Sequence, residues 1–122
     1  MQMEVNKLQV YILDVQSPSR EQVLRWLVEN PKVNGVKVFD DYQRFLDYVK
    51  KSPPGLCFIR LGHVAIPGMK TARIVKTFYP DIRIIFVSDD RDYALEAYEL
   101  GVHGYLLSPI DKIKLKLYID NK

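Results

Sequence analysis

Ile82-Arg83-Ile84-Ile85-Phe86-Val87, followed by Ser88-Asp89-Asp90, is the stretch on which the fold turns. The run is apolar on both faces, rich in β-branched residues and too short for a helix, as expected of a strand covered on both sides. Ser88-Asp89-Asp90 then supplies helix-start chemistry. Ala94, Ala97 and Tyr98 follow at helical spacing and are expected to face inward, and Gly101 offers a helix stop. Gly104-Tyr105-Leu106-Leu107 is strand-like again. Two strands joined through a helix cannot form a hairpin, so they must run parallel.

The same unit repeats toward the N-terminus. Leu56 to Leu61 reads as a strand, apolar on both faces except at Arg60. A loop with Gly62, Pro67 and Gly68 leads to a helix carrying Thr71, Ile74, Val75 and Phe78 on one side, ended by Tyr79-Pro80-Asp81. Val33 to Phe39 is a strand weakened by Asn34-Gly35. Asp40 is expected to cap the helix after it, whose Tyr42, Phe45, Leu46 and Val49 repeat with helical period until Ser52-Pro53-Pro54-Gly55. Leu8 to Leu13 is the first strand, ending at Asp14. Ser17-Pro18-Ser19 opens a helix, with Ser17 as cap or Ser19 and Gln22 as a capping box, and Val23, Trp26 and Leu27 inward. Asn30-Pro31 stops it. After Ser108-Pro109, Ile110, Ile113 and Leu117 suit a helix, whereas Lys112 to Leu117 also alternates as a strand does. A helix is expected, because each strand needs a covered face. The expected fold is α/β: one domain over 1–122 built on a doubly wound, five-stranded parallel sheet with helices on both faces. Its sites should lie beyond the carboxyl ends of the strands.

Composition narrows the function. The 122 residues include 18 basic and 15 acidic side chains, interspersed, a net charge of +3 that is too mild for a nucleic-acid footprint. A single cysteine, Cys57, permits no internal disulfide and is expected to be inert packing. No apolar run approaches a membrane span and the N-terminus lacks a signal-peptide layout, so a cytoplasmic domain without membrane attachment is expected. No strand-to-helix turn carries a Gly-rich phosphate cradle or a G-x-S-x-G elbow. His63 and His103 lack metal-ligand spacing. No cofactor, bound metal or catalysis is expected.

The strand ends to inspect are Asp14 and Val15, Gly62 and His63, Ser88 and Asp89, and Ser108 and Pro109. The order of elements, with Ile66-Pro67-Gly68-Met69, Ile85-Phe86-Val87-Ser88 and Gly104-Tyr105-Leu106-Leu107-Ser108-Pro109-Ile110, resembles the CheY-like receiver domain of two-component response regulators. Tyr93 to Gly101 is most similar to the LytTR-type branch, in which the receiver precedes a DNA-binding domain.

The resemblance implies a phosphoryl acceptor aspartate ending the third strand and an acid pair holding Mg²⁺ after the first. It also implies a Ser or Thr after the fourth strand and a Lys before the Pro that follows the fifth. Asp14 matches the first acid, Val15 replaces the second, and His63, four residues before Pro67, stands for the acceptor. Ser88 keeps the hydroxyl, Ser108 replaces the lysine, and Tyr105 keeps the switch aromatic. A degenerate receiver working by protein association is therefore expected, and a phosphorylatable receiver with an atypical acceptor is the alternative. Plainer roles stand beside these: His63 as a polar loop residue, Asp14 as a hydrogen-bonding acid, Ser88 as a helix cap, Tyr105 as core. The family's dimer face, on the fourth helix, fifth strand and fifth helix, would carry Glu96 and Glu99 against Lys112, Lys114 and Lys116 of a second copy.

Overall fold

Over residues 8–120, which the computed structural model describes, strands and helices alternate. The order is β1 (Leu8–Leu13), α1 (Ser19–Val28), β2 (Val33–Phe39), α2 (Tyr42–Lys51), β3 (Leu56–Arg60), α3 (Gly68–Phe78), β4 (Arg83–Ser88), α4 (Ala94–Leu100), β5 (Gly104–Leu107) and α5 (Lys112–Asp120). All neighbouring strands pair in parallel, in the order β2-β1-β3-β4-β5. The chain leaves β1 toward β2 on one side and returns to β3 on the other. The carboxyl ends of β1 and β3 thus flank the switch point where sites of this architecture form.

Side-chain alternation along the strands divides the core in two. Val10, Ile12, Leu56, Phe58, Ile85 and Val87 face α1 and α5, meeting Val23, Leu27, Leu115 and Ile119. Tyr11, Leu13, Cys57, Ile59, Ile84 and Phe86 face α2, α3 and α4. The α3 helix begins hard against the sheet. A Cβ on Gly68 would sit 2.1 Å from the Arg60 carbonyl oxygen, so only glycine fits there. Gly101 closes α4 in the left-handed conformation, φ 83°, as its position in the sequence suggests.

Several local expectations need correction. Asp41, not Asp40, caps α2, accepting from the Gln43 amide at 3.1 Å. Helix α1 begins at Ser19 after Pro18, and neither Ser17 nor Ser19 caps it. In α3 the inward stripe is Thr71, Ala72 and Val75, while Phe78 is exposed and Tyr79 packs on the core instead. The 3-10 turn Arg91–Tyr93 shifts the phase of α4, which buries Ala97 alone and leaves Ala94 and Tyr98 outside, Tyr98 82% exposed. The last segment is a helix, but Asp111 caps it by accepting from the Ile113 and Lys114 amides. That start places Leu115 and Ile119 inward and turns Ile113 and Leu117 to solvent.

Candidate functional site

Asp14 and Arg60 meet at the switch point. Leu13 pairs with Ile59 across β1 and β3, so the next residues on each strand are neighbours. Both side chains continue the alternation of Val10, Ile12, Leu56 and Phe58, so both point to the α1 side of the sheet. Arg60 Nε donates to Asp14 Oδ1 at 2.9 Å and Nη2 to Oδ2 at 3.0 Å, a two-pronged pair. Arg60 is 1% exposed and Asp14 2%. Burial of this kind is tolerated only when the charges are paired and the remaining donors satisfied.

Each nitrogen of the guanidinium finds a partner. Arg60 Nη2 also donates to the hydroxyl of Ser19, which is itself buried and donates to the Gln16 carbonyl at 3.3 Å. Nη1 reaches Asp89 Oδ1 at 3.4 Å. Asp89 Oδ2 accepts from Gln16 Nε2, and the Gln16 amide donates to Asp14 Oδ1 at 2.9 Å. Among the described residues, no buried side-chain nitrogen or oxygen lacks a partner.

The next loop carries the arrangement outward. Ser88 Oγ accepts from the Asp90 amide and donates to the Asp90 carbonyl, each at 2.9 Å. That carbonyl also accepts from the Tyr105 hydroxyl. Burial, aided by the carboxylates of Asp90 and Asp92, holds the Tyr105 phenol above its ordinary value, so it stays a donor at neutral pH. Asp90 Oδ1 accepts from the Asp92 amide at 2.8 Å and opens the 3-10 turn into α4.

The residues singled out in the sequence fare unequally. Asp14 lies at the centre of the cluster, and Ser88 and Tyr105 share the Asp90 carbonyl beside it. Val15 turns to the opposite side and packs on the core under α2 and α3. Ser108 bonds Ser88 only through its backbone, amide to carbonyl at 2.8 Å. His63 sits in the loop beyond β3, where its Nδ1 accepts from the Ala65 amide at 3.0 Å. Counting back four residues from Pro67 thus reaches a loop residue, because the loop is longer than that count allows. The residue that β3 itself delivers to Asp14 is Arg60, seven before Pro67. Arg60, Ser19 and Gln16 are absent from the site as read in the sequence, where Asp89 figures only as a strand end without a role. The available signal was the lone charge in an otherwise apolar strand, which demands a buried acid nearby.

On the candidate association face, Glu96 pairs with Arg73 of α3 at 3.1 Å. Lys112 pairs with Glu29, just past the end of α1, at 3.7 Å and lies over the Trp26 ring. Lys114 lies over Tyr118. Glu99, Lys114 and Lys116 form no ion pair among the described residues. Beside the Asp89 loop, a hollow of about 80 Å³ between Gln16, Gly62, Asp89 and Tyr93 is far too small for a nucleotide. Among the described residues no three metal-ligating side chains converge, and no helix is long and apolar enough to cross a membrane.

A parallel sheet in the order β2-β1-β3-β4-β5 with helices on both faces defines a doubly wound α/β domain with a polar cluster at its switch point. The family model of the response regulator receiver domain matches residues 10–120, and the chain belongs to that family of two-component signal transduction. Transcriptional regulatory protein DegU of Brevibacillus brevis is 29% identical over 112 residues, covering 90% of this chain and 48% of its own. Sensory transduction protein LytT of Bacillus anthracis is 27% identical over 109 residues, covering 88% and 44%. The response regulatory domain of MrkE from Klebsiella pneumoniae superposes with a TM-score of 0.82 at 19% identity, over 92% of each chain. The chain spans about half the length of the curated relatives it matches.

Proposed function

We propose that this receiver domain signals by associating with protein and takes up no phosphoryl group at its strand ends. The observation that carries the reading is the buried Asp14–Arg60 pair. The family's acceptor is an aspartate at the end of the third strand. Here β3 ends in Arg60, a permanent cation with no nucleophilic oxygen.

The residues present do not fit Mg²⁺ either. Both Asp14 oxygens already accept from the guanidinium, Val15 offers no ligand, and a divalent cation would face Arg60 at close range. Ser108 in place of the family's lysine removes a cation that would otherwise neutralise a phosphoryl oxygen. The site is thus a receiver site whose counter-ion is built into the chain.

The surface that would do the associating is the one formed by α4, β5 and α5. Leu95 and Tyr98 on α4, with Ile113 and Leu117 on α5, are large apolar side chains left exposed on either side of the edge strand. Glu99, Lys114 and Lys116 supply unspent charges of both signs, which suits a second copy across a two-fold axis. On the likeness to DegU, and to LytT for the LytTR-type branch, the output is control of transcription in the cytoplasm. DNA would be bound by an effector domain and not by this one.

The test is incubation with acetyl phosphate and Mg²⁺ followed by intact mass. The expected spectrum is that of the unmodified chain. An added phosphoryl group mapped to Asp14, His63 or Asp89 overturns the reading and establishes a phosphorylatable receiver with an atypical acceptor.

A further inference from the structure

Arg60 has three arms, and two of them are spent on Asp14 and Ser19. The third, Nη1, is as buried as the rest of the side chain, and an unsatisfied buried donor is costly. Its acceptor is the carboxylate of Asp89, a residue otherwise half in solvent. Asp89 belongs to a segment with Asp90 and Asp92 close behind it. The stretch carries three carboxylates against one cation of its own, Arg91, and the Arg60 guanidinium supplies a second.

We infer that Arg60 is a permanent internal effector: through Asp89 it clamps the segment between β4 and α4, and thereby fixes Tyr105 and the start of α4 in one state. The inference rests on the reading proposed above and extends it from the site to its regulation. Each link is on hand. Asp89 is held by Arg60 and Gln16. Asp90, next along the chain, is held by Ser88 through two hydrogen bonds and holds the Tyr105 hydroxyl. Its carboxylate starts the 3-10 turn that leads directly into α4. A buried pair at the sheet centre is therefore joined, bond by bond, to the edge strand and to one helix of the association face. Coupling of this sort is carried by contiguous hydrogen-bonded elements, and it is measured by perturbing one end and reading the other. The ordinary alternative is that Arg60 does no more than neutralise Asp14, with the bond to Asp89 incidental.

The experiment uses the 122-residue chain and two variants, Asp89→Ala and the paired Asp14→Leu with Arg60→Met, plus the triple combination. Amide hydrogen exchange is read along α4, at Ala97 to Leu100, and the Tyr105 ring is read by NMR. These positions lie outside the immediate sequence neighbourhood of the changes. In Asp89→Ala, exchange in α4 should rise about tenfold and the Tyr105 resonances should move, with α1 to α3 at parental rates. The paired variant should match it, and the triple variant should add nothing, since all three break one connection. Parental α4 exchange and Tyr105 resonances in Asp89→Ala overturn the clamp, and so do additive effects in the triple variant. Should the paired variant fail to fold, Asp89→Ala alone decides. Phosphorylation of the parent by acetyl phosphate would defeat the earlier reading without altering these exchange rates, so the two failures are distinguishable.

Discussion

The centre of the sheet and its β5 edge solve opposite problems. At the centre, between β1 and β3, a guanidinium is wholly enclosed and its hydrogen bonds go to Asp14, Ser19 and Asp89. At the edge, Leu95, Tyr98, Ile113 and Leu117 stand in solvent around a four-residue strand. Polar groups inside and apolar groups outside invert the usual arrangement in both places. Every nitrogen of the enclosed guanidinium has a partner, whereas the edge has apolar surface to offer. On the reading proposed above, in which the centre takes up no phosphoryl group, the edge is where the domain would do its work.

The sharpest way to break this contrast is at the centre. Arg60→Met should leave Asp14 as an unpaired buried carboxylate and cost about 3–5 kcal/mol in urea unfolding. Replacing both partners, Asp14→Leu with Arg60→Met, should return stability to within about 1 kcal/mol of the parent, or above it. If the single variant costs less than about 1 kcal/mol, water reaches Asp14 and the centre is not closed.

At the edge, smaller effects are expected, and on association instead of folding. Sedimentation of the parent should show a dimer that Tyr98→Ser or Ile113→Ser weakens by about tenfold, roughly 1.4 kcal/mol each. Lys114→Glu with Lys116→Glu should weaken it less, and only at low salt, since exposed charges are screened. A parent that stays monomeric at high micromolar concentration removes the second copy as the partner of this face.

The sequence carried the architecture because short apolar runs alternate with stretches of helical period, and strands joined through helices pair in parallel under a covering layer. It located Asp14 and Ser88 because strand ends are easy to place, and it pointed to Tyr105 only through the family resemblance. It did not carry the ion-pair partner of Asp14. Motif spacing measured from Pro67 led to His63, whereas the strand itself ends at Arg60, and only strand adjacency makes Asp14 and Arg60 neighbours. Helix phases were misjudged for a related reason. Asp111 and the 3-10 turn Arg91–Tyr93 set where α5 and α4 begin, and a shift of one or two residues there exchanges inward and outward faces. That exchange turns Tyr98, expected inward, and Ile113 and Leu117, the apolar positions of the last helical pattern, to the solvent, where the proposed association would use them.

The smallest expected effect sharpens the comparison from the other end of the edge strand. His103, just before β5, donates its backbone amide to the Ile84 carbonyl at 2.8 Å and accepts the Ile84 amide on Nδ1 at 3.1 Å. That second bond requires an unprotonated Nδ1. Burial, with the positive charges of Lys76 and Arg83 adding to it, holds the imidazole below its ordinary value. The folded chain therefore binds fewer protons than the unfolded chain just below the unfolded value of about 6.5. The stabilisation is fully present above about pH 6.5 and is lost as pH falls through the lowered folded value. The ring is partly exposed, so after solvent screening the effect should be on the order of a few tenths of a kcal/mol. Urea midpoints at pH 5.5 and 7.5 read it: the parent should lose stability toward acid, and His103→Gln should lose less. Equal acid sensitivity in the parent and His103→Gln would mean that protonation leaves the join between β4 and β5 intact, and that the edge is held at this end by its backbone bonds alone.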